Sequence, residues 1–400
     1  MTVVGLNDKM DFSLDFHPDI NVITGKNGSG KTTLLKLIWY MISGNLERIA
    51  PEINFRSANI QTDTFSLSIK TTEDADPPSK GSTSAKTIDT WRERRIEWKL
   101  ETTETELSKP HSIATAVSSA SMSLARSRIE KLNRAIASLP NSSVFFPTFR
   151  RIEGGFSMGG RTEPIVKTEI PRFFHVPREI SPIENALTNL SERISVRQHR
   201  FVSSISTSDI VSMLTKQYAD TSEQINQDNT QRSKEITRLI EHYRNTKPDT
   251  SNETSKLGEA TQILELIQTI VTEHKERQEL FLRPFSALSD LIKKIFQHKG
   301  IKVTSHLTLG EAGEAISSDA LSAGEKQMLS FLAYNAFAQK STIFIDEPEI
   351  SLHVDWQRIL FPTLLSQGST NQFIVATHSP FIYSKYQDKE LVLDPNKGGE

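Results

Sequence analysis

The 400-residue chain contains no cysteine. That excludes a disulfide framework and a thiolate zinc site together. Nothing else calls for an oxidising compartment, so a cytoplasmic location is the expectation. Long apolar runs are missing too: no stretch approaches the roughly 18 residues that cross a bilayer. The opening MTVVGLNDKMDFSLDF has no basic segment leading into an apolar one, so neither a signal peptide nor a membrane partner is expected. Charge of one sign is not in excess: 47 Lys and Arg stand against 49 Asp and Glu, which excludes a chain coated in basic surface but not a local patch. The ten histidines have no metal-ligand spacing, and there is no internal repeat.

What the chain does have is a set of short motifs in a fixed order. Near the N-terminus, Asn21–Thr24 reads as a strand running directly into Gly25-Lys26-Asn27-Gly28-Ser29-Gly30-Lys31-Thr32-Thr33. The apolar residues Leu34, Leu35, Ile38, Met41 and Ile42 then follow at helical spacing over Thr32–Ser43. Strand, glycine loop and helix are the context a phosphate-binding loop needs. Gly25, Gly28 and Gly30 let backbone N–H groups curl around phosphates, and the helix points its positive end at the same anion. Lys31 is placed to bridge β- and γ-phosphate oxygens, and the Thr32 hydroxyl to bind Mg²⁺. A plain glycine turn before a core helix is the competing reading.

Far downstream come Leu321-Ser322-Ala323-Gly324-Glu325-Lys326-Gln327, then Ile343-Phe344-Ile345-Asp346-Glu347-Pro348, then Ala376-Thr377-His378-Ser379. Asp346 ends an apolar strand, a buried scaffold that presents one carboxylate to a Mg²⁺ shell. From Ser322 to Asp346 is 24 residues and from Asp346 to His378 is 32, room for a helix and a strand between neighbours.

Elsewhere the pattern predicts strands at Thr2–Leu6, Phe12–Phe16, Phe65–Ile69, Ile96–Leu100, Val144–Phe146, Lys302–Leu309, Thr342–Ile345 and Gln372–Ala376. It predicts helices over Ser121–Ser138, Pro182–Arg200, and from Asp355. From Ser222 to about Phe296 the apolar spacing is helical, with Asn245–Lys256 as a turn. An antiparallel hairpin and ordinary helical packing both fit that stretch.

The four motifs, taken in this order, resemble ATP-binding-cassette ATPases of the branch holding Rad50, SMC proteins and the overcoming-lysogenisation-defect nucleases. The resemblance implies an α/β fold: a split P-loop cassette head with a β-rich lobe and a short coiled-coil-like helical insertion. The expected divisions are 1–150 for the N-terminal half of the head, 151–300 for the insertion and 301–400 for the C-terminal half. It implies ATP and Mg²⁺ as cofactors, with Thr32 and Asp346 on the metal, Glu347 as the base that polarises water, and His378 as the γ-phosphate switch. Ser322, Gly324 and Glu325 would grip the γ-phosphate of a second chain, so ATP would join a head-to-tail homodimer or a higher oligomer.

Pro348-Glu349-Ile350-Ser351-Leu352-His353 resembles the EPExxLH loop of the same branch. The string FFPTFRRIE looks like a segment of ATPases from two-component anti-phage systems, PtuA of Septu and retron systems or AriA of PARIS. A glutamine expected there as a Mg²⁺ ligand is missing, and Arg150 or Arg151 stands in its place, either on phosphate or in solvent. Only 22 residues follow His378, too few for a Toprim nuclease domain, so an effector nuclease on a separate chain is the expectation. The alternative is a Rad50- or RecF-like clamp on DNA, with nucleic acid as partner along Arg172, Arg178, Arg193, Arg197 and Arg200. A solvated helix face explains those arginines equally. A third reading is a binding scaffold in which ATP is structural.

Overall fold

The computed structural model describes residues 1–8, 10–73, 94–102, 119–148, 182–203, 207–245, 253–295 and 322–393. In chain order they form β1 (Thr2–Leu6), β2 (Met10–Ser13), β3 (Ile20–Thr24), α1 (Lys31–Ser43), α2 (Ile49–Glu52), β4 (Ser57–Gln61), β5 (Phe65–Glu73) and β6 (Arg94–Thr102). Next come α3 (Ser119–Ser138), β7 (Ser142–Phe146), α4 (Pro182–Ile194), β8 (His199–Phe201), α5 (Thr207–Asn245) and α6 (Glu253–Ile295). The C-terminal part holds α7 (Ala323–Phe337), β9 (Ser341–Asp346), α8 (Val354–Ser366), β10 (Gln372–Ala376), α9 (Pro380–Tyr383) and β11 (Glu390–Val392). The predicted strand at Lys302–Leu309 lies outside the described residues, as do Arg150, Arg151, Arg172, Arg178 and Leu321.

Two compact units result. The first takes Met1–Ser204, Ala338–Pro362 and Thr370–Glu400, so strands from both ends of the chain meet in it. Its central sheet runs β11-β3-β10-β9-β7-β8 and is parallel at every pairing. A parallel sheet covered on both faces wants continuous apolar strands. Every residue of β3 is buried, and β7 and β10 follow suit after a first half-buried residue. The polar Asn21 is fully buried in β3 because its amide donates to the carbonyls of His17 (2.9 Å) and Phe373 (3.3 Å).

Helix α1 packs Trp39 at 5.6 Å, centroid to centroid, from both Phe145 and Phe201. The Trp39 indole donates to Ser143 Oγ (3.0 Å), which in turn pairs with His199 Nδ1 (2.8 Å). One polar thread therefore ties α1 to β7 and β8 through an otherwise apolar core. The helix stops at Gly44, whose left-handed φ of 71° lets its N–H reach the Tyr40 carbonyl.

The second sheet, β2-β1-β4-β5-β6, is antiparallel throughout. Two sequence expectations are corrected in this unit, and one strand is added. The strand expected at Phe12–Phe16 is Met10–Ser13, because Asn7 and Asp8 take positive φ (52° and 62°) and turn β1 back on itself early. Strand β4 was not expected at all. The helix predicted to run to Arg200 ends at Ile194: Arg197 adopts φ 51°, and His199–Phe201 pairs with β7 as a strand.

The second unit takes Ile205–Phe337 and Thr363–Ser369. Helices α5 and α6 are the antiparallel hairpin that the spacing left open against ordinary packing. Tyr218 meets Phe285 edge-on (5.7 Å), whereas Asp228 and Asn229 meet His274. Higher numbers on one arm thus face lower numbers on the other. At about 1.5 Å per residue each arm is roughly 60 Å long. The turn expected at Asn245–Lys256 is shorter, since α6 begins at Glu253. In α7, the buried Asn335 donates to Leu364 O (2.8 Å) and Gln367 Oε1 (2.5 Å) and accepts from Ser369 Oγ (2.8 Å).

Candidate functional site

In a parallel sheet, loops at the carboxyl ends of the strands gather on one edge, and ligands bind there. Strand β3 delivers the glycine loop to that edge, β9 delivers Asp346 and Glu347, β10 delivers Thr377 and His378, and β7 delivers Pro147 and Thr148. The register explains the convergence: Ala376 is level with both Asp346 and Ile23.

The loop has the geometry that its glycines predict. Gly25, Gly28 and Gly30 have φ of 155°, 81° and 82°. A side chain on Gly25 would strike Ser29 Oγ at 2.6 Å, whereas one on Gly28 would meet nothing within 4 Å. Gly28 therefore faces open space, where a ligand approaches the backbone. Ser29 Oγ is buried without a hydrogen-bond partner, the kind of orphaned polar atom an anion cradle contains. Lys26 and Asn27 are exposed on the outside of the loop, and Thr33 is half-buried in the first turn of α1.

Lys31 is 5% exposed, and its ammonium donates to the carbonyls of Gly25 (3.2 Å) and Lys26 (3.3 Å). It also lies 2.5 Å from His378 Nε2. His378 Nε2 is in turn 3.3 Å from Glu347 Oε1. Lysine, histidine and glutamate from three separate strand ends thus touch in sequence. Thr32 Oγ1 donates to both carboxylate oxygens of Asp346 at 3.0 Å, and Thr148 Oγ1 donates to Asp346 Oδ2 at 2.6 Å.

Burial is the main force on the carboxyls. Asp346 is 2% exposed, and desolvation pushes its pKa up against the hydrogen bonds of Thr148 and Thr32, which pull it down. Glu347 is also pushed well above the ordinary carboxylate range, by burial first and then by the negative charge of Glu349. Its backbone sits at φ 50°, a left-handed conformation that a non-glycine residue rarely adopts and that marks strain at functional sites. Glu349, which the sequence singled out only as part of a loop motif, accepts from the backbone N–H groups of His378 (2.6 Å) and Ser379 (3.1 Å).

Oxygen donors of this type suit Mg²⁺: two neutral hydroxyls and one buried carboxylate, with no sulfur or imidazole among them.

The signature residues belong to the second unit. Ser322 caps α7 in a capping box: its Oγ accepts from Glu325 N (3.4 Å) while Glu325 Oε2 accepts from Ser322 N (2.6 Å). Ser322 is exposed and Gly324 half-buried, so this N-terminal turn is open to a ligand, whereas Glu325 is buried and holds the turn. Of the arginines considered for DNA, Arg193, Arg197 and Arg200 are exposed, and Arg197 donates to Ala137 O (3.3 Å).

The AAA ATPase domain family matches this chain over residues 9–383. The chain belongs to that family. It is an ATPase of the AAA domain class. Over 158 residues it is 27% identical to Endonuclease GajA of Bacillus cereus (strain VD045), a stretch that takes in 37% of this chain and 26% of GajA. The chain thus aligns with about a quarter of that relative's length. Two solved structures also align, each over 96% of this chain and 90% of the other. They are the Smc head domain with an extended coiled coil bound to the C-terminal domain of ScpA, from Pyrococcus furiosus (15% identity, TM-score 0.33), and the SmcHead bound to the C-winged helix domain of ScpA (12%, 0.33). No helix among the described residues is long and apolar enough to cross a membrane.

Proposed function

We propose that this ATPase is a Mg²⁺-dependent ATP hydrolase whose nucleotide cycle closes and opens a head-to-tail homodimer, and that this cycle regulates a separate effector in anti-phage defence. The observation that supports the hydrolytic part is the convergence of Lys31, His378, Glu347, Thr32 and Asp346 on one sheet edge, with contacts of 2.5, 3.3 and 3.0 Å linking them.

On this reading the backbone N–H groups of Gly28 and Gly30 hold the phosphates, and Lys31 leaves its loop carbonyls to neutralise them. Bound Mg²⁺ supplies charge neutralisation on the phosphate oxygens. Thr32 and Asp346, joined by a hydrogen bond at 3.0 Å, would hold it. Glu347 orients water and takes its proton, a role for which a raised pKa is suited. His378 senses the terminal phosphate.

Each chain holds one phosphate loop and one exposed Ser322 turn, and in the cassette ATPases that the motifs resemble the signature serves the loop of a second chain, so two chains would make two complete sites. An N-terminal helical turn with a serine hydroxyl binds anions, so Ser322 and Gly324 of one chain would complete the site of another. The effector reading rests on the FFPTFRRIE segment and on similarity to an endonuclease.

Glu347→Gln tests the scheme in the full chain. It should bind ATP, lose turnover, and sediment as a dimer with ATP and Mg²⁺, while Lys31→Ala binds no nucleotide. A Glu347→Gln protein that hydrolyses ATP at the wild-type rate removes Glu347 from its role. If Ser322→Arg leaves the ATP-dependent dimer intact, the head-to-tail assembly is wrong.

A further inference from the structure

Asp346 receives more hydroxyls than the phosphate loop supplies. Thr32 already donates to both of its oxygens, yet Thr148, from another strand end, donates to Oδ2 at 2.6 Å. We infer that Thr148 is a second hydroxyl ligand of the divalent cation, standing with Thr32 on either side of Asp346.

The placement follows from the sheet. Strand β7 lies beside β9, with Phe146 level with Ile345, so two residues further along each strand the chain reaches Thr148 and Glu347 on the same edge. Pro147 fixes the backbone between the end of β7 and Thr148, and Thr148 is half-buried.

The chemistry follows from what a hydroxyl can do. It has one donor and two lone pairs. Donation to Asp346 fixes the hydroxyl hydrogen and turns the lone pairs away from the carboxylate. Thr32 is oriented by the same carboxylate in the same way. Two neutral hard oxygens, each polarised by one shared carboxylate, form the ligand-and-support pattern that a small oxygen-loving cation selects. The inference rests on the proposed Mg²⁺-nucleotide site and adds a ligand to it where the sequence offers no glutamine.

The experiment measures the affinity of the full chain for a fluorescent ATP analogue while Mg²⁺ is titrated, and again in EDTA. Thr148→Val should raise the Mg²⁺ midpoint by about tenfold or more, the usual cost of losing a ligand or its support, and leave the affinity in EDTA unchanged. Thr148→Ser, which keeps the hydroxyl, should return the midpoint to within about twofold of wild type. With Mn²⁺ in place of Mg²⁺, the electron-spin spectrum of the bound ion should change in Thr148→Val and not in Thr148→Ser. An unaltered Mg²⁺ midpoint and Mn²⁺ spectrum in Thr148→Val would overturn the assignment and leave the rest of the site standing. Should valine prevent folding, Thr148→Ala gives the same readings. A wild-type protein whose nucleotide affinity ignores Mg²⁺ sinks the metal site as a whole, and Thr148 with it.

Discussion

Glu349 holds His378 by its backbone. One carboxylate oxygen accepts from the N–H of His378 at 2.6 Å and of Ser379 at 3.1 Å, so the turn after β10 is fastened to the turn after β9. The imidazole ring that touches Lys31 takes its position from this clamp.

Removing the clamp should therefore affect turnover more than binding. Glu349→Ala is expected to lower kcat for ATP about 10- to 100-fold, the range that small misplacements of reacting groups produce, with KM changed less than about threefold. Glu349→Gln keeps an acceptor oxygen and should lose less. Steady-state kinetics on the three proteins decide it. Equal losses in kcat and in affinity would mean that Glu349 supports the fold and not the switch turn.

Two glycines with nearly equal φ should respond oppositely. A Cβ at Gly44 would lie 2.6 Å from the carbonyl oxygen of Asn133, whereas one at Gly28 would meet nothing within 4 Å. Gly44→Ala should cost about 2–4 kcal/mol, strain and clash together. Gly28→Ala should cost about 1 kcal/mol or less in stability while weakening ATP binding at least tenfold. Urea unfolding and nucleotide titration separate the two outcomes.

Stability should fall in mild acid because of His199. Burial holds its imidazole down to about 4 from an ordinary 6.5, so the neutral form is the folded form. Its contribution is complete above pH 6.5 and is lost as the pH falls toward 4, when the unfolded chain takes up a proton that the folded one resists. The gap corresponds to about 3 kcal/mol at most. In His199→Gln the unfolding midpoint between pH 6.5 and 4 should slope less steeply than in wild type, although the variant is weaker at pH 7.

The hairpin carries a polar clasp in an apolar seam. His274, 3% exposed, pairs with Asp228 and lies 2.9 Å from Asn229 Oδ1. Asp228→Ala takes away the partner of Nδ1 and leaves Asn229 on Nε2, and should cost about 1–3 kcal/mol. Replacing both residues by leucine should be neutral or stabilising by about 1–4 kcal/mol. A double-mutant cycle by thermal unfolding measures the coupling, and a stable Asp228→Ala protein would contradict it.

The nucleotide loop, Asp346, Glu347 and His378 were legible in the sequence because each sits within a few residues of a glycine turn or an apolar strand end. Their spacing survives whatever happens between them. Thr148 and Glu349 stood out only as members of longer strings, FFPTFRRIE and the EPExxLH loop, with no role of their own. A threonine after a proline signals nothing until the strand order puts β7 beside β9, and Glu349 reaches a backbone 29 residues away. Strand β4, Ser57–Gln61, escaped notice because its two buried residues, Ala58 and Ile60, are too few to declare a period. The helix ending at Ile194 was read through to Arg200 because an arginine, not a glycine or asparagine, takes the left-handed turn at 197.

Strand β3, near the start of the chain, lies between β10 and β11, which come more than 340 residues later. A ribosome therefore exposes β3 with both of its edges bare until the codons for β10 and β11 have been read. Strands in that condition invite aggregation, and pairings this distant close slowly. Synthesis of this protein should depend on chaperones to shelter the nascent N-terminal half, and that half expressed by itself should precipitate.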